Sequence, residues 1–204
     1  MYAIVEDNNI TQYINFPKSV VIGDVRYPAK IFELWTTAEK EAIGIYEIVV
    51  DKTNYKDPAY YNNTNSTYTF ADGQVTESWG TATPKRLNDE NAVDEDGNNI
   101  LDADGNQVIN YGLKTEKKRI VKEQASGLLA PTDWYVVKAS EVADYTVPSN
   151  ITTFRADVRT KSNEMETQID ACTNVVELKA LYEYTEQEDG TFTRPLPEFP
   201  TLEN

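Results

Sequence analysis

The spacing of apolar residues changes period part-way along this chain, and no other feature limits the fold as much. Up to about residue 84 apolar and polar residues alternate in short runs, the period of strands with one buried face. From Thr115 the spacing becomes three and four, the period of a helix. Strands first and helices after, not interleaved, point to an α+β class: a β-rich N-terminal module with hairpins, an acidic turn-rich arm, and a helical C-terminal module. The 204 residues suffice for one sizeable domain or two small ones without covalent staples.

Local chemistry sharpens the first part. Residues 2–16 alternate on both sides of Asp7-Asn8-Asn9, residue types that tolerate the left-handed backbone of a tight hairpin turn. A second strand-like run is Val20-Val-Ile22, and Ile45 to Val50 is a third. Tyr68 to Trp79 reads as a hairpin folded about Asp72-Gly73. Thr36 and Glu39 have the spacing of a capping box, so a short helix is expected there, ended by Gly44. Residues 1–84 therefore form the β-rich module, and 85–113, rich in Asp, Asn and Gly, the acidic arm.

The helical module spans 114–183. Ile120, Val121, Gln124, Leu128 and Leu129 fall near one face of a first helix, which Pro131 stops. Asp133-Trp-Tyr-Val-Val137 is predicted to be a short strand or extended link, because its residues favour strands. A second helix is expected from Pro148-Ser149, with Ser or Asn as its cap. Along it Ile151, Phe154, Val158, Met165, Ile169 and Cys172 form a stripe that Lys161 interrupts. The stripe reads as the core face of a helical hairpin, with a coiled-coil seam as the alternative. A third short helix covers Val175 to Leu181. Residues 184–204, with Phe192 and Phe199 and three prolines between Pro195 and Pro200, are expected to be an extended tail lying on its own domain or on a neighbour.

Charge and composition exclude several function classes. A net charge of −15 repels nucleic acid and anionic membranes, so neither is expected as a partner. The basic run Lys114 to Arg119 reads as a solvated helix face. The chain has no histidine and one cysteine, Cys172, which removes Ser-His-Asp and Cys-His catalysis, the commonest metal ligand and any internal disulfide. The first residues carry no basic region followed by a long apolar stretch, so a soluble protein made in a cytoplasm is expected. No cofactor is expected.

The arm contains an internal repeat. An apolar residue, Asp-x-Asp-Gly-Asn, one more residue and a second apolar residue occur at 93–100 and again at 101–108. Read as EF-hand loops, the two registers place Asn99 and Gln107 where glycine is required, and Gly105 and Leu113 where the bidentate glutamate belongs. Asp-Gly-Asn is also a favoured turn sequence. Turn chemistry is the leading reading, with a calcium ion held adventitiously and a dedicated metal site behind it. No phosphate-cradling glycine loop or nucleophile elbow occurs, and the acidic pairs lie where nothing would hold a fixed separation, so the chain is not expected to be an enzyme.

Two stretches together resemble a family. The start, Met1-Tyr-Ala-Ile-Val-Glu-Asp-Asn-Asn-Ile, is similar to the M-Y-A-I-I-x-[DN]-N-x-[IV] opening of small proteins encoded among the baseplate and tail-fibre genes of tailed bacteriophages. Leu128-Leu-Ala-Pro-Thr-Asp-Trp134, followed by Ile151-Thr-Thr-Phe-Arg-Ala-Asp-Val-Arg159, resembles their L-L-x-x-T-D-W … Y-R-x-A-[LV]-R module, shared with tail-fibre assembly proteins. This chain departs in having Phe154 for Tyr, Asp157 for a small residue, and the long insertion at 85–113. The resemblance implies a structural protein of a phage tail, baseplate or fibre-attachment region, acting by protein–protein binding in the virion after synthesis in the host cytoplasm. The alternative is a tail-fibre assembly chaperone absent from the particle. The implied partners are other tail, baseplate or fibre proteins and further copies of the chain.

The residues themselves place Leu128, Leu129 and Trp134 at a corner facing Phe154 and Val158, with Asp133 paired across it to Arg155 or Arg159. The candidate interaction and packing residues are Leu128, Leu129, Trp134, Ile151, Phe154, Val158, Met165, Ile169, Phe192 and Phe199.

Overall fold

The computed structural model describes residues 1–202; Glu203 and Asn204, which end the expected tail, lie outside the described residues. The protein is an α+β fold whose chain divides into two compact units, Met1–Thr83 and the segment from Pro84 on.

In the first unit β1 (Tyr2–Glu6) and β2 (Asn9–Ile14) form the opening hairpin. Asp7 and Asn8 hold φ of 51° and 63°, the pair of positive angles a two-residue type I′ turn requires. A short hairpin of β3 (Val20–Ile22) and β4 (Val25–Tyr27) follows. The chain then makes a single helical turn, α1 (Ile31–Leu34), which buries Ile31 and Phe32. α2 (Thr37–Glu41) begins at Thr36, whose side chain accepts from the Glu39 amide while the Glu39 carboxylate accepts from the Thr36 amide, the expected capping box.

β5 (Ile45–Asp51) pairs antiparallel with β1. After β6 (Tyr61–Asn62), β7 (Ser66–Ala71) and β8 (Gln74–Trp79) make the second expected hairpin, with Asp72 at φ 52° and Gly73 at φ 74°. β8 lies parallel to β5, which completes a sheet of order β2-β1-β5-β8-β7. The sheet curls until its two edges approach: the rings of Tyr13 on β2 and Tyr68 on β7 are 4.8 Å apart.

β1 is buried on both faces. Ala3 and Val5 join Ile48 and Val75 on the inner side of the curl, and Ile4 joins Ile14, Val20, Ile31, Phe32 and Ile45 on the other. Full burial of each such aliphatic side chain stabilises the fold by roughly 1.5–3 kcal/mol. The single turn of α1 exists because it delivers Ile31 and Phe32 to that second cluster.

β9 (Thr83–Pro84) marks the boundary between the units. In the second unit β10 (Glu90–Asn91) pairs with β11 (Ile109–Asn110) at the base of the acidic arm. α3 (Leu113–Leu129) starts at Gly112, and the preceding loop caps it. The Gly112 amide donates to the Asp89 carboxylate at 2.8 Å, the Leu113 amide to the Arg86 carbonyl at 2.9 Å and the Lys114 amide to the Leu87 carbonyl at 3.1 Å. Three of the donors a helix start leaves over are thereby satisfied from outside the helix.

α3 ends where Pro131 cannot continue it, and Ala130–Thr132 form a 3-10 turn. Asp133–Glu141 is then a helix, α4, not the strand or link its β-favouring residues predict. The 3-10 turn has already aligned the backbone, so the chain re-enters the helix without a nucleation cost.

α5 (Ser149–Ala171) begins after Pro148, which itself occupies the cap position expected for Ser or Asn. It runs antiparallel to α3, because Lys118 pairs with Asp170 at 2.7 Å and Lys122 with Glu166 at 3.2 Å. The buried stripe of α3 is Val121 and Ala125, with Leu128 and Leu129 partly buried beside them, while Ile120 and Gln124 face solvent. Along α5 the stripe continues through the expected break, because Ser162, four residues after Val158, is buried in place of Lys161.

α6 (Val175–Ala180) is capped by Asn174, whose side chain accepts from the Glu177 amide at 2.9 Å. The tail is not extended throughout. β12 (Thr185–Glu186) and β13 (Phe192–Thr193) form a small hairpin, and the proline-rich segment returns to its own unit. There Leu196 is 2% exposed and its amide donates to the Leu181 carbonyl at 3.0 Å.

Candidate interaction site

The corner between α3 and α4 is built around Arg155 of α5. Its Nη1 donates to the Leu129 carbonyl at 3.1 Å, to Thr132 Oγ1 at 2.5 Å and to Asp133 Oδ1 at 2.7 Å. The Arg155 side chain is 11% exposed, so a guanidinium largely out of water receives a carbonyl, a hydroxyl and a carboxylate. Thr132 is buried and its hydroxyl donates in turn to the Leu129 carbonyl at 2.7 Å.

Of the two arginines the sequence offers for Asp133, Arg155 is the partner; Arg159 donates instead to the Arg155 carbonyl at 3.2 Å. Thr132 was not among the candidate residues. The signal for it was a hydroxyl just after the helix-stopping Pro131 and just before an acid.

Below this corner Ala125, Phe154 and Val158 form a cluster on which Leu128, Leu129 and Phe199 pack. Ile151 is buried in the first turn of α5, and Met165 and Ile169 are buried toward its end. Two candidates lie outside the core: Trp134 is 52% exposed and Phe192 62%. The candidate list therefore separates into side chains that hold the helices together and two that face solvent.

Trp134 lies in the first turn of α4, and no residue of that helix is buried. Its ring lies 3.9 Å from the Tyr135 ring, centroid to centroid. The Lys138 ammonium sits 5.7 Å from the Trp134 ring and 4.3 Å from the Tyr145 ring, distances at which a cation is attracted to an aromatic face. Val136 and Val137 add exposed apolar surface. The strand-like reading of this segment hid these neighbours of Trp134.

The acidic repeat folds into two turns of the same geometry. Asp94 Oδ1 accepts from the amides of Asp96 at 3.0 Å and Asn98 at 2.8 Å; Asp102 Oδ1 accepts from Asp104 at 3.0 Å and Asn106 at 2.8 Å. Gly97 and Gly105 both hold φ of 83°, a backbone that side chains rarely adopt.

The two hairpins and the β10–β11 pair meet in a closed ring of backbone hydrogen bonds. Ile100 donates to Ala92 at 2.9 Å, Val108 to Ile100 at 2.9 Å, and Ala92 to Val108 at 2.8 Å. The Gln107 side chain spans the ring, donating to the carbonyls of Ala92 and Val108. Donation from the Asn98 and Asn106 backbone holds the Asp94 and Asp102 carboxyls below the usual carboxylate range.

Among the described residues no group of three or more acidic or cysteine side chains is placed to hold a metal ion, and no helix is long and apolar enough to cross a membrane. No protein-family model, no curated protein and no solved structure matches the chain.

Proposed function

We propose that this chain is a structural or assembly protein of a tailed-phage virion, placed in the tail, baseplate or fibre-attachment region, and that it works by protein–protein binding instead of chemistry. The observation that carries the reading is the joining of the two motif segments of the helical module. Thr132 and Asp133 of the first are hydrogen-bonded to Arg155 of the second, so the residues that bear the resemblance form one physical unit. The opening motif has a structural use as well, since its Asp7-Asn8 pair is the turn of the first hairpin.

Binding is favoured over catalysis because the carboxylates with depressed pKa all have structural partners. Glu39 and Glu177 are held low by hydrogen bonds from Thr36 and Thr173 at helix starts, and Asp94 and Asp102 by their own turns. The partners are other tail, baseplate or fibre proteins and further copies of this chain, and the setting is the virion.

Mass spectrometry of purified particles of the phage that encodes the chain tests this directly. Stoichiometric peptides are expected. Their absence from particles, with the chain present in the lysate on unassembled fibres, would replace the reading with that of an assembly chaperone; absence from both would remove the phage-tail reading.

A further inference from the structure

Residues 192–202 are tied back to the second unit across a single turn, and the contacts that seat them join residues before that turn to residues after it. β13 pairs with β12. The Leu196 amide donates to the Leu181 carbonyl at 3.0 Å, and the Tyr184 hydroxyl donates to the Glu198 carboxylate at 2.7 Å. Phe199 packs on the cluster of Ala125, Phe154 and Val158 between α3 and α5.

The turn itself, residues 187–191, is held only by its own bonds. The Gln187 amide donates to the Thr191 carbonyl at 2.7 Å, and the Asp189 carboxylate accepts from the Thr191 amide at 2.9 Å. Gly190 sits at φ 79°, and a Cβ there would meet nothing within 4 Å. All four residues of β12 and β13 are exposed, and a two-stranded hairpin without a covered face is marginal in water.

We propose that this turn is a hinge, and that residues 192–202 exchange between two copies of this chain, each seating in the other the segment it otherwise seats on itself. With residues 187–191 straightened, β13 pairs with β12 of the second copy, Leu196 meets its Leu181 carbonyl and Phe199 its α3–α5 cluster. The closed form already shows the fit, because the same side chains meet the same partners and only the bonds of the turn are lost.

Closed monomer and exchanged dimer therefore differ by two turns and by the cost of bringing two chains together. A tether this short holds the segment at an effective concentration of about millimolar. The closed form prevails in dilute solution, and exchange needs copies held close together, as in an assembly. The inference rests on the assembly reading for that setting alone.

Gly190 offers the test. Gly190→Val strains the closed turn, since a β-branched residue resists positive φ, while a straightened hinge makes no such demand. Sedimentation velocity of the full chain should find the wild type monomeric at micromolar concentration. Gly190→Val should dimerise at a concentration roughly tenfold lower than wild type or less. Gly190→Ala should move the same way by a smaller factor, and circular dichroism reports whether each variant keeps the fold.

A disulfide then identifies how the dimer is joined. Glu186 and Phe192 are opposed across β12 and β13, a spacing that cysteines at both positions can bridge. Cys172 is buried and stays apart. With Glu186→Cys and Phe192→Cys added, the oxidised Gly190→Val dimer should run as two linked chains on a non-reducing gel, and the dilute chain with Gly190 intact as one. Variants that stay monomeric at every concentration overturn the proposal, and so does a dimer whose disulfides close within single chains. Particle mass spectrometry tests the setting while sedimentation and the gel test the exchange, so each can fail without the other.

Discussion

The Arg155 guanidinium donates to the Asp133 carboxylate at 2.7 Å, across 22 residues of chain. The two ends of the contact differ in solvation, with the Arg155 side chain 11% exposed and that of Asp133 60%. Replacing Arg155 by Ala strips the buried end and leaves Thr132 without its donor, a loss of about 2 kcal/mol. Asp133→Asn removes only a solvated charge and should cost under about 1 kcal/mol. Urea denaturation of both variants checks the ranking; equal effects would mean that Arg155 is not the anchor.

Two glycines of the α3 region predict opposite signs for one substitution. A Cβ on Gly112 would lie 2.5 Å from the Leu87 carbonyl oxygen and 2.5 Å from the Asn88 carbonyl group, backbone atoms that cannot swing aside. Gly112→Ala should therefore cost about 2 kcal/mol or more by pushing the capping loop off the helix start. A Cβ on Gly127 meets nothing within 4 Å, and there Ala should stabilise by up to about 1 kcal/mol through helix propensity. Thermal melts of the two variants should move in opposite directions.

The acidic arm should loosen in acid. The folded pKa of Asp94 and of Asp102 is lowered by donation from Asn98 and Asn106. The stability these groups contribute is fully present above the unfolded carboxylate value of about 3.9 and is lost as pH falls through the lower folded value. The backbone amide resonances of Asn98 and Asn106 should stay dispersed at about pH 5 and collapse toward unstructured positions below about pH 3.9. Resonances still dispersed well below that point would show that the ring of backbone bonds holds the turns without the carboxylates.

The tail offers a contrast between two apolar residues in one short segment. Leu196 is 2% exposed and Phe192 is 62% exposed. Leu196→Ala should destabilise the second unit by about 2–5 kcal/mol, the range for a buried leucine, and Phe192→Ala should fall within about 0.5 kcal/mol of wild type. Denaturant melts that rank them the other way would place the proline-rich segment off the core.

Some elements were legible because their cause is local. The Asp7-Asn8 and Asp72-Gly73 turns need residues that accept positive φ, and the chain supplies them at those positions. The capping box at Thr36 and Glu39 is likewise contained within four residues. Within the candidate site, the cluster of Leu128, Leu129, Phe154 and Val158 could be read from helical spacing, because one helix face must be covered.

Other features had no local cause. Trp134 to Val137 favour a strand by side-chain type, yet a preceding 3-10 turn and the Arg155 anchor make that segment helical. Asp-Gly-Asn spacing foretold two turns in the arm, but not that Ala92, Ile100 and Val108 would close a ring.

What the sequence by itself determined is the α+β class, the order of the two parts, and the turns and caps whose geometry is set within a few residues. Only the tertiary structure decided which arginine reaches Asp133, which face of α3 is buried, and that Leu196 of the tail lies on its own unit while the apolar side chains of α4 stay in solvent. Those outcomes depend on what a side chain meets across tens of residues of chain, and propensity and spacing carry information only over the nearest few.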